Sequence, residues 1–434
     1  MKVPAEKAEP VHNQSGTEGG KLMDLSERAY LSDQYKMKFR SRVRLVEDDD
    51  RSNCRVYLEE TYFYPVSGGQ PDDRGSLGGY SVLAVNEDSK GVSHLIEGRL
   101  KEGEIVEGVI EEGRRYDHMR QHSGQHLLSR VFLDILDLET VGFHIGESVS
   151  TIDLDGKMPS AESRKTIELE VNKLIMENIA VSVHTVSSGE YNRLCADRSS
   201  KCPPLSKVSE KNEDIRLVEI KGVDLNPCCG THVANTGEIG IIKITGVKRV
   251  NKNTRIEFLC GMRSVRDYIE KDLLMNSIAL SFSTEWKEVG NIACKISDEN
   301  DQLRAESKAL NDKLNDYRAR QLAVPDSSVG RFSIVKKIVE DVEPADLRNI
   351  AGEMRKNNDF IILLGSLKPK PAIVFACSEG VPLSMGTVLK ESASVMGARG
   401  GGGEDFAQGG GGDGDLMRGA LDKAEELVKK GLGQ

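Results

Sequence analysis

Long apolar runs are missing from this chain. Nowhere in its 434 residues is there a stretch of about 18 uninterrupted apolar side chains, so a membrane-spanning helix is excluded and no membrane partner is expected. The start, Met1 to Lys21, is polar and carries Pro, Gly and Ser without an apolar centre. That excludes a secretory signal and suggests a disordered or irregular lead-in. Dense cysteine is missing too: eight cysteines, two of them adjacent, do not make a disulfide scaffold and suit a reducing, cytoplasmic setting. Positive charge is not in excess, since 59 Lys and Arg face 69 Asp and Glu for a net −10. General nucleic-acid affinity is therefore not expected. A local patch remains open, from Arg114, Arg115 and Arg120 or from Lys243, Lys248, Arg249, Lys252 and Arg255.

What is present begins with two dyads. His122-Ser-Gly-Gln-His126 and Cys228-Cys-Gly-Thr-His232 each place two donors four residues apart. On a helix that spacing puts both side chains on one face, about 6 Å apart along the axis. Together the dyads supply three imidazoles and one thiolate, a set suited to a four-coordinate, borderline-soft cation, above all Zn2+. His118 reads as a flanking surface residue, and His144 and His184 as structural. Cys195 and Cys202 read as free thiols.

The length calls for about two to four domains. Residues 37–113 alternate in short runs separated by Gly and Asp, which predicts a small β-barrel-like N-terminal domain containing the loop Thr61 to Gly75. Residues 114–262 read as an α+β domain: a helix from Asp117 to Leu138, a strand at Ser148–Asp153, a helix from Glu162 to Asn178, then further strands. Residues 263–330 read as a helical connector, with Ile292, Ile296, Leu303, Leu310 and Tyr317 near sevenfold spacing but Glu299, Glu306 and Lys313 charged between them, which fits a weak coiled coil and a helical hairpin packing on a neighbouring domain equally; a turn at Pro325–Gly330 follows. This segment, or the C-terminal region, is where a homodimer would form. Residues 331–434 alternate strand and helix in an α/β pattern. They include a glycine-rich stretch from Gly397 to Gly412, expected to be a folded, ligand-facing loop.

The loop Tyr64…Gly68-Gly69-Gln70…Asp73…Gly75, the run Met119 to Leu128, and Cys228-Cys-Gly-Thr-His-Val233 with Thr236-Gly-Glu-Ile-Gly240 resemble the editing region of alanyl-tRNA synthetases and the free-standing alanyl-tRNA editing proteins. The glycine-rich C-terminal stretch resembles the DHHA1 domain. One departure is Cys229, which stands where that family usually has glycine and could compete with Cys228 for metal. The resemblance implies a multidomain protein with a zinc-binding editing domain at 114–262 and a DHHA1-like tRNA-binding domain at 331–434, after a lead-in at 1–36. No aminoacylation core is expected ahead of residue 37. A trans-acting deacylase is implied, with tRNA(Ala) mischarged with serine, and secondarily glycine, as its partner. His122, His126, Cys228 and His232 would be the catalytic metal ligands, and Gly68, Gly69 and Gln70 would line the substrate end. The alternative is a non-catalytic tRNA-binding protein with a structural zinc. A DHH-type phosphoesterase is disfavoured, because only Asp117-His118-Met119 approaches its Asp-His-His signature. Threonyl-tRNA editing shares the dyads but not the Gly-Gly-Gln loop.

Overall fold

The computed structural model describes residues 27–49, 52–196, 214–368 and 370–433. They form a multidomain α/β protein that divides into two compact units, residues 1–276 and 277–434.

In the first unit, six strands close into a barrel in the order Lys38–Asp48, Cys54–Leu58, Gly91–Ile96, Tyr80–Asp88, Gly75–Leu77 and Ile105–Ile110. Alternation drives it: Val56, Leu58, Val82, Val85, Val92 and Ile96 turn inward to one core with Phe63 and Tyr64 from the connecting loop. Residues 27–36, expected to belong to the irregular lead-in, are ordered instead. Glu27–Arg28 pairs in parallel with Glu60–Thr61, and Tyr30, 3% exposed, packs edge-on against Tyr64. The burial of that aromatic ring, invisible as a periodicity in so short a segment, is what fixes it. Residues 1–26 lie outside the described part.

The barrel leads into helix α1 (Glu112–Leu136), which starts five residues before the position expected from its apolar stripe and stops at Asp137, in the left-handed conformation with φ 55°. Helix α2 (Ala161–Met176) lies beside it, N-capped by the Ser160 hydroxyl. Both cover an antiparallel sheet ordered Ile242–Val250, Asn253–Cys260, Ser150–Asp155, Glu139–Ile145. The Glu139–Ile145 strand went unseen in the sequence, because its side chains alternate only weakly. A smaller sheet, Val181–Ser187, Asp214–Ile220 and Asp224–Pro227, carries helix α3 (Ser188–Ala196). Helix α4 (Met262–Ser281) follows.

In the second unit, helix α5 (Val289–Leu322) packs on helix α6 (Pro344–Met354), where Asn311 and Asn315 both donate to Asp346. Ile296, Leu303, Leu310 and Tyr317 are exposed. A six-stranded sheet runs Ser327–Val329, Phe332–Asp341, Phe360–Lys368, Ala372–Cys377, Phe406–Gly410, Arg399–Gly402. Ile362 and Leu364 bury against α6, while Ile361 and Leu363 bury against helices α7 (Met385–Ala393) and α8 (Met417–Gly431). Two expectations change here. The Pro325–Gly330 turn contains an edge strand closed by Gly330 at φ 54°. The glycine-rich stretch is a two-stranded hairpin, not a loop. Its glycines allow Gly400 and Gly402 to approach the facing backbone so closely that a Cβ would lie 2.4 Å or 2.3 Å from it.

A buried ion pair ties the barrel to α1. Arg115 and Asp73 both have fully buried side chains, and the guanidinium also donates to the carbonyls of Tyr62 and Gln34. Asp73 in turn accepts from the Tyr64 N–H at 2.7 Å. Asp73→Ala strands an uncompensated cation, so a loss of about 3–5 kcal/mol is expected in a urea melt followed by tryptophan-independent far-UV CD.

Candidate metal centre

Helix α1 sets the first dyad. Gly124, between its two histidines, faces Cys260, whose Sγ would lie 2.3 Å from a Cβ at that position. The glycine lets the helix sink against the sheet, so His122 and His126 point along one buried face. The second dyad comes from the loop after the Asp224–Pro227 strand. Gly230 there packs on His122, and a Cβ would fall 2.0 Å from Cε1 of that ring. Two glycines thus draw together histidines more than a hundred residues apart in sequence.

The outcome is one cluster. The ligand atoms of His122, His126, Cys228 and His232 all lie within 4.8 Å of one another. Cys228 Sγ is 3.4 Å from His122 Nε2 and 3.2 Å from His232 Nε2. Each imidazole is held from behind through Nδ1: His122 by Gln70 Oε1 at 2.8 Å, His126 by Asp224 Oδ2 at 3.3 Å, His232 by Ser123 Oγ at 3.2 Å. A carboxylate and an amide oxygen only accept, so Nδ1 of His122 and His126 carries the hydrogen and Nε2 presents its lone pair to the centre. Three imidazole nitrogens and one sulfur, backed by oriented partners, fit a zinc ion on the chemistry of the donor set alone.

Electrostatics agree. Burial opposes ionisation of Cys228, yet His122 and His232 beside it bring the thiol well below its ordinary value. Burial likewise opposes protonation of His126, but Asp224 and Cys228 push it up to about 10. Burial takes His232 down to about 3. Together these shifts favour the thiolate on Cys228 with a proton on His126 Nε2, and that proton must leave before Nε2 can offer its lone pair to an ion.

Several expectations are corrected. Gln70, expected to touch substrate, is fully buried and serves as the rear support of His122, donating its Nε2–H to Thr231 Oγ1 at 2.8 Å. Gly68 and Gly69 turn at φ 56° and 85° just before Gln70; a Cβ on Gly69 would strike the Phe143 carbonyl oxygen at 2.5 Å, while nothing lies within 4 Å of one on Gly68. Cys229 is exposed and lies outside the cluster. His118 is not a surface residue; it is 3% exposed, since it continues the buried face of α1 by one turn. His144 and His184 are exposed rather than structural, with His184 paired to Glu219 at 3.0 Å. The basic patches are partly neutralised: Arg115 is buried, and Lys243, Lys248 and Arg255 pair with Glu168, Glu257 and Asp153, whereas Arg120 and Arg249 bond only backbone carbonyls. Cys195 is a free thiol and Cys202 lies outside the described residues.

Sequence reasoning missed Ser123 and Asp224. Ser123 adjoins a ligand, but serine so placed has many other uses. Asp224 sits four residues before Cys228, a spacing with no meaning until the strand turns. Missed as well were Gln34, whose side chain accepts the His232 N–H, and Tyr35, whose hydroxyl accepts the Ala234 N–H at 2.6 Å. They strap the second dyad from the N-terminal side.

Comparisons with known proteins place this geometry. Residues 215–257 match the family described as threonyl and alanyl tRNA synthetase second additional domain, and residues 331–430 match the DHHA1 domain. The alanyl-tRNA editing protein AlaX-L of Pyrococcus horikoshii is 32% identical over 88% of this chain and 94% of its own length. An alanine–tRNA ligase of Methanospirillum hungatei is 29% identical over 91% of this chain, which spans only 43% of that ligase. The alanyl-tRNA editing protein Aarsd1 of Mus musculus is 37% identical over half of this chain and 51% of its own.

Two outcomes test the centre. Cys228→Ala is expected to lose most bound zinc by elemental analysis, whereas Cys229→Ala keeps it; the reverse would move the thiolate to Cys229. Because the His126 proton must leave, loading is expected to release a single proton per ion near pH 7, so affinity rises with pH up to about 10. Calorimetry in buffers of different ionisation enthalpy reads that proton directly.

Proposed function

This chain belongs to the alanyl-tRNA editing protein family, and from that we propose that it hydrolyses the aminoacyl ester of mischarged tRNA(Ala) in trans. Seryl-tRNA(Ala) is the main substrate and glycyl-tRNA(Ala) the secondary one. The observation that carries the reading is the convergence of four donors from two distant motifs on one point.

His122, His126, Cys228 and His232 would hold Zn2+. When bound, zinc supplies Lewis-acid polarisation of the ester carbonyl and an acidified water. The chain's own residues do the rest. Gln70, Asp224 and Ser123 hold the three rings against rotation, so the donors need no rearrangement as charge develops. The Gly68-Gly69 turn offers bare backbone as a wall beside His122 and Phe143, whose rings lie 4.9 Å apart. A serine hydroxyl bonded in that pocket would be missing in alanine, which leaves a buried polar group unpaired and disfavours the correctly charged product by about 10⁴; glycine lacks the hydroxyl too, so this selection favours serine and does not account for glycine. The C-terminal unit, residues 331–430 by its DHHA1 match, is the module proposed to hold the tRNA body. A cytoplasmic setting belongs to this reading; no helix among the described residues is long and apolar enough to cross a membrane.

A second reading has one observation in its favour: four protein donors complete a tetrahedral shell, the pattern of structural zinc. It makes the protein a tRNA binder without turnover. Seryl-tRNA(Ala) incubated with zinc-loaded protein separates the two. Loss of ester well above background, abolished in His126→Ala, is expected; stoichiometric binding with intact ester would leave only the structural reading.

A further inference from the structure

A primary amide is nearly symmetric in shape but opposite in chemistry at its two ends: the oxygen accepts and the NH2 donates. Gln70 lies behind the His122 ring, so the end it turns towards Nδ1 decides which ring nitrogen keeps its hydrogen. An oxygen there takes a hydrogen on Nδ1 and leaves the Nε2 lone pair to the donor cluster. An NH2 there would place the hydrogen on Nε2 and close the ring to an ion. Gln70 is fully buried, so bulk water does not arbitrate between the two.

The residue that arbitrates is Thr231, 161 positions further along the chain and also fully buried. It grips both ends of the amide. Its backbone N–H donates to Gln70 Oε1 at 3.1 Å, and its Oγ1 accepts from Gln70 Nε2 at 2.8 Å. A backbone N–H can only donate, so the amide end facing it must be the oxygen. The same Oε1 lies 2.8 Å from His122 Nδ1, which therefore donates to it as well. Thr231 Oγ1 is the one acceptor that Gln70 Nε2 reaches among the described residues. Backbone closes in around this clamp. A Cβ on Gly230 would lie 3.1 Å from Gln70 Oε1, and Gln70 and Ser67 exchange backbone hydrogen bonds at 2.9 Å and 3.1 Å.

Thr231 immediately precedes His232, a donor of the second dyad, yet it acts on a donor of the first. We propose that Thr231 is a positioning residue: it orients the Gln70 amide and so keeps His122 in the tautomer that a metal ion needs. Readiness of the first dyad then depends on docking of the second. This role rests on the zinc reading of the donor cluster and not on ester hydrolysis.

Thr231→Val keeps the shape and the backbone N–H but removes the acceptor for Nε2, which leaves a buried amide donor unpaired. Zinc affinity of the full chain, measured by competition with a chromogenic chelator, is expected to fall about tenfold or more, the usual cost of losing an oriented partner behind a ligand. Thr231→Ser is expected to restore it. In zinc-loaded protein carrying 15N-labelled histidine, the His122 Nδ1–H resonance is expected to be protected from exchange with water in wild type and to exchange faster in Thr231→Val. Lost packing alone could also weaken zinc binding, so the deciding background is Gln70→Glu, whose carboxylate accepts at both ends and has no wrong orientation. There Thr231→Val is expected to cost only a small part of the loss it causes beside glutamine. Undiminished affinity and ring-proton protection in Thr231→Val, or an equal loss with and without Gln70→Glu, overturns the role. Should Thr231→Val fail to fold alone, a folded Gln70→Glu/Thr231→Val protein with the zinc affinity of Gln70→Glu supports it, and failure of both overturns it. Seryl-tRNA(Ala) hydrolysis by the same wild type is read separately: zinc held with the ester intact removes the deacylase and leaves the clamp standing.

Discussion

Three hydrogen bonds made at the backs of three imidazoles govern the candidate metal centre. An imidazole can turn over and exchange its two nitrogens, and only an acceptor or donor fixed behind Nδ1 keeps Nε2 aimed at a common point. Here the supports come from separate pieces of chain: Gln70 from the loop between the barrel strands Cys54–Leu58 and Gly75–Leu77, Ser123 from α1 itself, Asp224 from the small sheet. The donor cluster exists only while all three pieces are docked. That requirement explains why so much of the first unit is devoted to fastening the barrel to α1.

The fastening is polar and buried. Arg115 reaches from α1 to the Tyr62 carbonyl, the Gln34 carbonyl and Asp73, and Asp73 closes the loop back to Tyr64. An apolar contact would hold the surfaces together but permit sliding; a fully bonded guanidinium specifies one register. The strap at residues 27–36 adds Gln34 and Tyr35 to the loop of the second dyad. Glycines 69, 124 and 230 complete the docking by removing the side chains that would hold the layers apart. Hydrolysis, as proposed, would draw on that rigidity, because donors that do not move cost no reorganisation in the transition state.

Charge distribution follows the same plan. Arg115, Lys243, Lys248 and Arg255 are each neutralised by a carboxylate, which reduces the cationic surface of the first unit. In the second unit, the module proposed to hold the tRNA body, the glycine hairpin forms the edge of a sheet covered by helices on both faces.

Periodicity and spacing alone delivered the four donors, the main strands and helices and the α/β pattern of the C-terminal unit, since each depends on residues within a turn or a strand of one another. His122 and His126 are legible because a helix has a fixed pitch. Gln70 was legible as a motif but not as a support, because its partner lies 52 residues away and nothing local says which way the side chain turns. The burial of His118 and Arg115, the strap around Tyr30 and the conversion of a glycine run into a hairpin were decided by tertiary packing. There the deciding contacts join distant segments, and close backbone approach, rather than any local preference, selects the conformation.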